Sequence, residues 1–137
     1  MQYNTHTLAN GATIVTFSPH GFKFNDGTES SPQQKEFCNF FTLKKEFKVV
    51  GEIKGMKLTS TDFVLSTEQL DLLEFVSTTA DLLLVPFQML EAYRKNCERY
   101  PDHKKIKNIV SFNSTPETAR SSPQDKIVDI NNWSVIS

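Results

Sequence analysis

The stretch Ser66 to Asn96, STEQLDLLEFVSTTADLLLVPFQMLEAYRKN, constrains this chain more than any other. Its apolar pattern changes period twice, so it reads as helix, buried strand and helix in succession. Ser66 is a good N-cap and Gln69 stands at capping-box spacing from it. Leu70, Leu73 and Val76 then recur at helical spacing, and Leu72 and Phe75 widen the stripe. Ser77, Thr78 and Thr79 end the helix, because short hydroxyl and β-branched side chains compete with its backbone bonds. Leu82 to Val85 is a short apolar run closed by Pro86, as suits a buried strand. Phe87 opens a second amphipathic helix with Met89, Leu90, Tyr93 and Cys97 on one side. A strand that runs straight into a helix start leaves free N–H groups and an aromatic ring at one rim, where an anion or a flat ligand could sit.

Upstream, Tyr3 to Leu8 and Ala12 to Phe17 read as strands joined at Asn10-Gly11, a strong hairpin signal. Ser18 to Gly21 is a turn, Phe22 to Phe24 a short strand, and Asn25-Asp26-Gly27 a second turn. Thr28 to Lys35 reads as an exposed loop broken by Pro32. Glu36 to Leu43 is expected to be an aromatic-rich strand, followed by a charged turn or edge at Lys44 to Glu46. Phe47 to Ile53 is another strand, and Gly51 inside it suggests a bulge or a close approach. Met56 and Leu58 alternate with Lys57 and Thr59, which predicts a half-buried strand. After a polar connector around Pro101, Ile106 to Phe112 is a core strand. Asn113 to Gln124 is a loop dense in hydroxyls and prolines, and Lys126 to Ile130 a short strand. The expected fold is α+β: residues 1–137 as a single domain with a mostly antiparallel sheet of about six or seven strands and two main helices.

Charge narrows the partners. Fifteen basic and sixteen acidic residues give a net charge of −1, so a protein that coats long nucleic acid is not expected. One small nucleotide in a local pocket remains compatible. The eleven Phe supply core bulk and flat faces for stacking. Cys38 and Cys97 share no CxxC spacing and read as reduced, partly buried thiols. The N-terminus lacks the basic start and apolar run of a signal peptide, and no stretch approaches the roughly 18 apolar residues of a membrane span. A soluble intracellular protein without membrane contact is the expectation.

No metal, cofactor or catalytic motif is signalled. His6, His20 and His103 belong to no metal-ligand pattern, and there is no GxSxG, Walker or GxGxxG string. A pair between His20 and Asp26 across the SPHGFKFNDG turn is the one acid–base candidate; solvated turn residues are its plainer explanation. For binding, TPETARSS at 115–122 is the most ligand-like loop. Arg120 offers a planar donor fork for phosphate, and Asp125 an acceptor for ribose hydroxyls. Phe87 can stack on a purine. If the strands at Leu82 and Ile109 are parallel neighbours, their carboxyl ends bring Phe87 and the 115–126 loop to one rim. Arg94, Lys95, Arg99, Lys104, Lys105 and Lys107 form a basic zone around the second helix. Phe40, Phe41 and Phe47 read as core, or as an interface if one face stays uncovered.

ANGATIVTF, SPHGFKFNDGT, DLLLVPFQMLEA and ETARSSPQDK together resemble a family of small phage anti-Thoeris proteins, which sequester a cyclic ADP-ribose signal made by bacterial TIR enzymes. The resemblance spans most of the chain. It implies a homo-oligomer in the host cytoplasm that binds the cyclic nucleotide without cleaving it, in pockets at subunit boundaries. Carried onto this chain, it implies that Phe87 stacks on adenine and Arg120 takes the diphosphate. Thr118, Ser121 and Asp125 would be the polar neighbours, and Arg94, or a partner subunit, would supply a second arginine. The competing expectation is a protein–protein module that blocks a host factor.

Overall fold

A computed structural model describes residues 1–102 and 106–136. The order is β1 (His6–Thr7), β2 (Thr13–Thr16), β3 (Lys23–Phe24), α1 (Lys35–Phe40), β4 (Lys44–Ile53), β5 (Met56–Val64), α2 (Thr67–Ser77), β6 (Leu82–Leu84), α3 (Phe87–Arg99), β7 (Ile109–Ser114) and β8 (Ile127–Ser134). The fold is α+β. Its main sheet is mixed, with strand order β1-β2-β6-β7-β8-β3. β2, β6 and β7 are parallel neighbours, β3 runs parallel to β8, and the β1/β2 and β7/β8 pairs are antiparallel. The mostly antiparallel sheet expected from sequence is therefore corrected at its centre. β6, α3 and β7 form a β-α-β unit, the connection that parallel neighbours require.

The central stretch folds as its pattern dictates. Ser66 accepts from the Gln69 amide, the Gln69 side chain returns the bond to Ser66, and its amide group also ties down the carbonyls of Phe40 and Thr42. Leu73 and Val76 are fully buried, whereas Phe75 faces solvent. β6 is buried on both faces because its neighbours alternate. Val15, Leu83, Val85 and Ile109 point to the helices, while Ile14, Leu84 and Val110 point the other way. The Asn10-Gly11 hairpin forms, with Gly11 at φ +88°.

Strand and turn residues alone make the second core, around Leu8, Ile14, Phe24, Leu84, Val110 and Val128. The sheet curls around it until its two edge strands meet. The His6 ring on β1 stacks on Phe24 of β3 at 5.1 Å, and Asp26 beyond β3 accepts the Ala9 amide at 2.9 Å. Such closure hides edges that would otherwise stay open.

Three other expectations are corrected. The segment expected as a strand over Glu36 to Leu43 is mainly helix α1, since Phe37, Phe40 and Phe41 stand at helical spacing and the buried Phe37 and Phe41 pack on Phe17. Helical spacing decides there over aromatic strand propensity. The 28–35 segment is not wholly exposed: Ser30 and Gln33 are buried, and Gln33 bonds Asn4 and the Thr16 carbonyl. Among the described residues β4 and β5 join no other strand but form a separate two-stranded arm, so Met56 and Leu58 are exposed rather than half-buried. The expected irregularity at Gly51 is present, as a register shift between Val49 and Gly51.

Candidate functional site

The strand directions define one rim of the main sheet. The carboxyl ends of β2, β6 and β7 lie there together with the amino ends of β8 and β3. Carboxyl ends of parallel strands are where open sheets receive ligands, and the mouth of a curled sheet is another such place. Both conditions coincide in a cavity of about 660 Å³. Ser18 to Lys23 after β2, Leu84 to Pro86 after β6, and Pro123, Gln124 and Lys126 before β8 form its walls; Phe112 and Val128 complete it. The volume is in the usual range for a small-molecule pocket.

The floor continues the second core, because Phe22, Leu84, Phe112 and Val128 belong to both. Pro19, Pro32, Pro86 and Pro123 supply further rigid, flat apolar surface. Polar groups are few: Ser18, His20, Lys23, Gln124 and Lys126, with no carboxylate among them. The wall around Gly21 is tight. A Cβ there would collide with the Ser30 carbonyl oxygen, and the Ser30 amide donates to the Phe22 carbonyl at 2.8 Å. The Ser30 hydroxyl also accepts the Phe22 amide. The SPHGF turn is thereby fixed against the 28–33 segment.

The sequence-derived site residues fall around this cavity rather than in it. β6 and β7 are parallel neighbours, so the strand end at Pro86 and the late loop do share the rim. Phe87 is 63% exposed at the start of α3 and does not line the cavity. Arg120 is exposed on the loop. Thr118 is bound into the loop: its hydroxyl meets that of Thr115 at 2.8 Å and accepts the Ile127 amide at 3.0 Å. Ser121 donates its amide to the Thr118 carbonyl, and Asp125 accepts the Ser122 hydroxyl at 2.7 Å. Arg94 lies on α3 between Glu91 and Glu98, at 2.8 and 2.6 Å, and is not a cavity residue. That pairing engages Arg94 with its own helix.

The other candidates are equally clear. Asp26 does not pair with His20. One of its oxygens takes the Thr28 amide and hydroxyl, the other the Ala9 amide. Burial pushes the Asp26 carboxyl up, but the bonds from Thr28 and Ala9 outweigh it and the net shift is downward. Because Thr28 Oγ1 donates to Asp26 at 2.6 Å, it accepts from His6 Nε2 at 3.0 Å. Asp26 is thus part of the clasp that closes the sheet, while His20 lies on the cavity wall. In the basic zone Lys95 bonds Asp62 at 2.6 Å and Arg99 reaches Glu46 at 3.9 Å. Lys104, Lys105 and His103 lie outside the described residues. Cys38 and Cys97 are free thiols, and burial raises the pKa of Cys38. Among the described residues no group of three or more His, Cys, Asp or Glu is placed to hold a metal, and no helix is long and apolar enough to cross a membrane.

Lys23, Phe22, Phe112 and the prolines were not singled out as site residues. For Pro19, Phe22 and Lys23 the signal was the SPHGFKF string, whose proline and aromatic residues read locally as turn and strand. Only the placement of β2 beside β6, and of β8 beside β3, turns that string into a cavity wall. Comparison with protein-family models, with curated proteins and with solved structures finds no match.

Proposed function

We propose that this chain binds a small anionic ligand with a flat ring system, of the nucleotide class, in the rim cavity and releases it unaltered. The observation that carries this is the make-up of the walls: two lysines and an imidazole, no carboxylate, over a floor with Phe22 and Phe112. Lys23 and Lys126 favour phosphate oxygens as point charges. The ring floor offers stacking, and His20, Ser18 and Gln124 offer orienting hydrogen bonds. A base working on such a ligand would need an orienting partner, and Asp26, the one considered for His20, is occupied elsewhere.

Sequestration of a cyclic ADP-ribose immune signal in the host cytoplasm by a phage protein is the biological role that fits this chemistry and the sequence resemblance. Such a protein works by mass action and needs a Kd near nanomolar, about −12 kcal/mol. Titration calorimetry with a cyclic ADP-ribose isomer, then heat release and mass spectrometry of the ligand, tests both halves. Tight binding with recovery of the intact compound is expected. Absence of heat together with no small molecule released from the purified protein rejects the site; recovery of a cleaved product rejects the non-catalytic role. The alternative, a module that blocks a host protein, draws on the exposed apolar arm formed by β4 and β5.

A further inference from the structure

A second cavity, of about 330 Å³, lies between the edge formed by β1 and β2 and the 29–31 segment, beside the clasp. Ile14 is the one apolar residue that lines it, and no lysine or arginine does. Thr16 ends β2 and lines the cavity together with Ile14, on the side away from Val15 and Phe17, which belong to the core under the helices. Thr16 is 3% exposed, and its hydroxyl bonds to no other described residue. No fully enclosed side-chain oxygen among the described residues lacks a partner, so the Thr16 oxygen opens onto the cavity. Valine would fill such a strand position at no desolvation cost, so an idle hydroxyl there is accounted for only if something outside the protein takes it.

The groups around Thr16 are partly committed, and what they have left defines the ligand. Ser30 is 8% exposed and its oxygen takes the Phe22 amide at 2.9 Å. Its O–H hydrogen still needs an acceptor. His6 gives its Nε2 hydrogen to Thr28, whose own hydrogen goes to Asp26, so the neutral ring keeps Nδ1 as an acceptor. The Glu29 carboxylate bonds no described residue and adds further acceptors. An anion is repelled by Glu29. An ammonium group serves the acceptors but leaves the Ser30 hydrogen idle. Adjacent hydroxyl groups satisfy both needs, because each O–H donates and accepts at one atom. The volume is at the small end for a ligand pocket, which suits a single sugar ring.

We propose that this cavity binds a neutral polyol of monosaccharide size, whose adjacent hydroxyls engage Thr16, Ser30, His6 and Glu29. The proposal does not rest on the nucleotide reading of the rim cavity, whose walls carry lysines and no carboxylate. The full chain, free of nucleotide, is titrated with D-ribose, D-glucose and myo-inositol while its backbone amides are followed by NMR. At least one of the three is expected to saturate with a Kd of low millimolar order, as about a dozen heavy atoms allow, and to shift Thr5, Thr16, Ser30 and Ser31. Thr16→Val removes the hydroxyl and keeps the volume. It is expected to weaken binding about fivefold with the Tm unchanged or raised, because no bond within the protein is lost. Glu29→Gln, at an exposed position where folding is not at stake, is expected to weaken binding by about as much or more. No saturation by any of the three sugars, or shifts confined to the rim cavity, would overturn the proposal. So would binding of ethanolamine or inorganic phosphate here in place of the sugars, or an affinity that neither variant changes.

Discussion

Phe22 and Phe112 meet with ring centroids 5.5 Å apart and planes at 60°, joining the turn before β3 to the third of the parallel strands. The contact closes the floor of the rim cavity and is also part of the second core. Phe112→Ala is therefore expected to do two things. Because Phe112 is half-buried, stability falls by about 2 kcal/mol, or a Tm drop of roughly 5–8 °C. Ligand affinity falls by about tenfold as a flat face is lost. Phe112→Leu separates the effects, since it keeps most of the volume but not the ring. Thermal melts and calorimetric titration on the two variants give the comparison, and equal affinities for Leu and Phe would remove the ring from the binding role.

The clasp between the sheet edges predicts an acid limit. Asp26 has its pKa lowered below the ordinary 3.8 on folding, because its hydrogen bonds outweigh burial. A group depressed in the folded state gives stability that is fully present above its unfolded pKa. That stability is lost as pH falls through the folded value. The Asp26 contribution should thus be constant at neutral pH and vanish only below about 4. Asp26→Asn is expected to cost about 1 kcal/mol at pH 7, and the gap from wild type to close in that acid window. Denaturant midpoints measured from pH 7 down to 2.5 would show convergence; parallel curves would mean the carboxylate charge is irrelevant to the clasp.

Phe37 tests the helix that replaced an expected strand. It is fully buried, at 5.1 Å from Tyr3, 5.0 Å from Phe17 and 5.1 Å from Phe41. Phe37→Ala removes the centre of that cluster and is expected to cost about 3–5 kcal/mol. Asn39→Ala, on the exposed side of α1, is expected to be neutral or slightly stabilising, because Ala is the better helix former. A strand over this segment would be favoured by β-branched residues instead, so stabilisation by Asn39→Val together with destabilisation by Asn39→Ala would argue against a helix here.

How much of this was legible follows from range. The capping box at Ser66 and Gln69, the turn at Gly11 and the shift near Gly51 are local, and local rules found them. The parallel pairing of Leu83 with Ile109 was conditional on sequence grounds, yet it follows from two apolar runs joined by one helix. What escaped was non-local. β4 and β5 have strand periodicity, but nothing in their pattern says that no other strand will join them. Likewise no local signal says that Lys23, which starts β3, and Lys126, which precedes β8, lie at one rim where those strands run parallel. The loop at 115–122 reads as ligand-like for its arginine and hydroxyls, yet the Thr118 hydroxyl and the Ser121 amide bond within the loop and its flank.

That last contrast makes the sharpest comparison at the site. If the ligand anion sits in the cavity, Lys23→Ala combined with Lys126→Ala should weaken binding by about 30- to 700-fold, since each lost charge-assisted contact is worth roughly 1–2 kcal/mol. Raising salt should weaken wild-type binding and affect the double variant less. Arg120 is exposed on the loop and lines no part of the cavity, so Arg120→Ala should change affinity less than twofold. Binding that survives both lysine changes and vanishes with Arg120→Ala would move the ligand out of the cavity and onto the 115–126 loop.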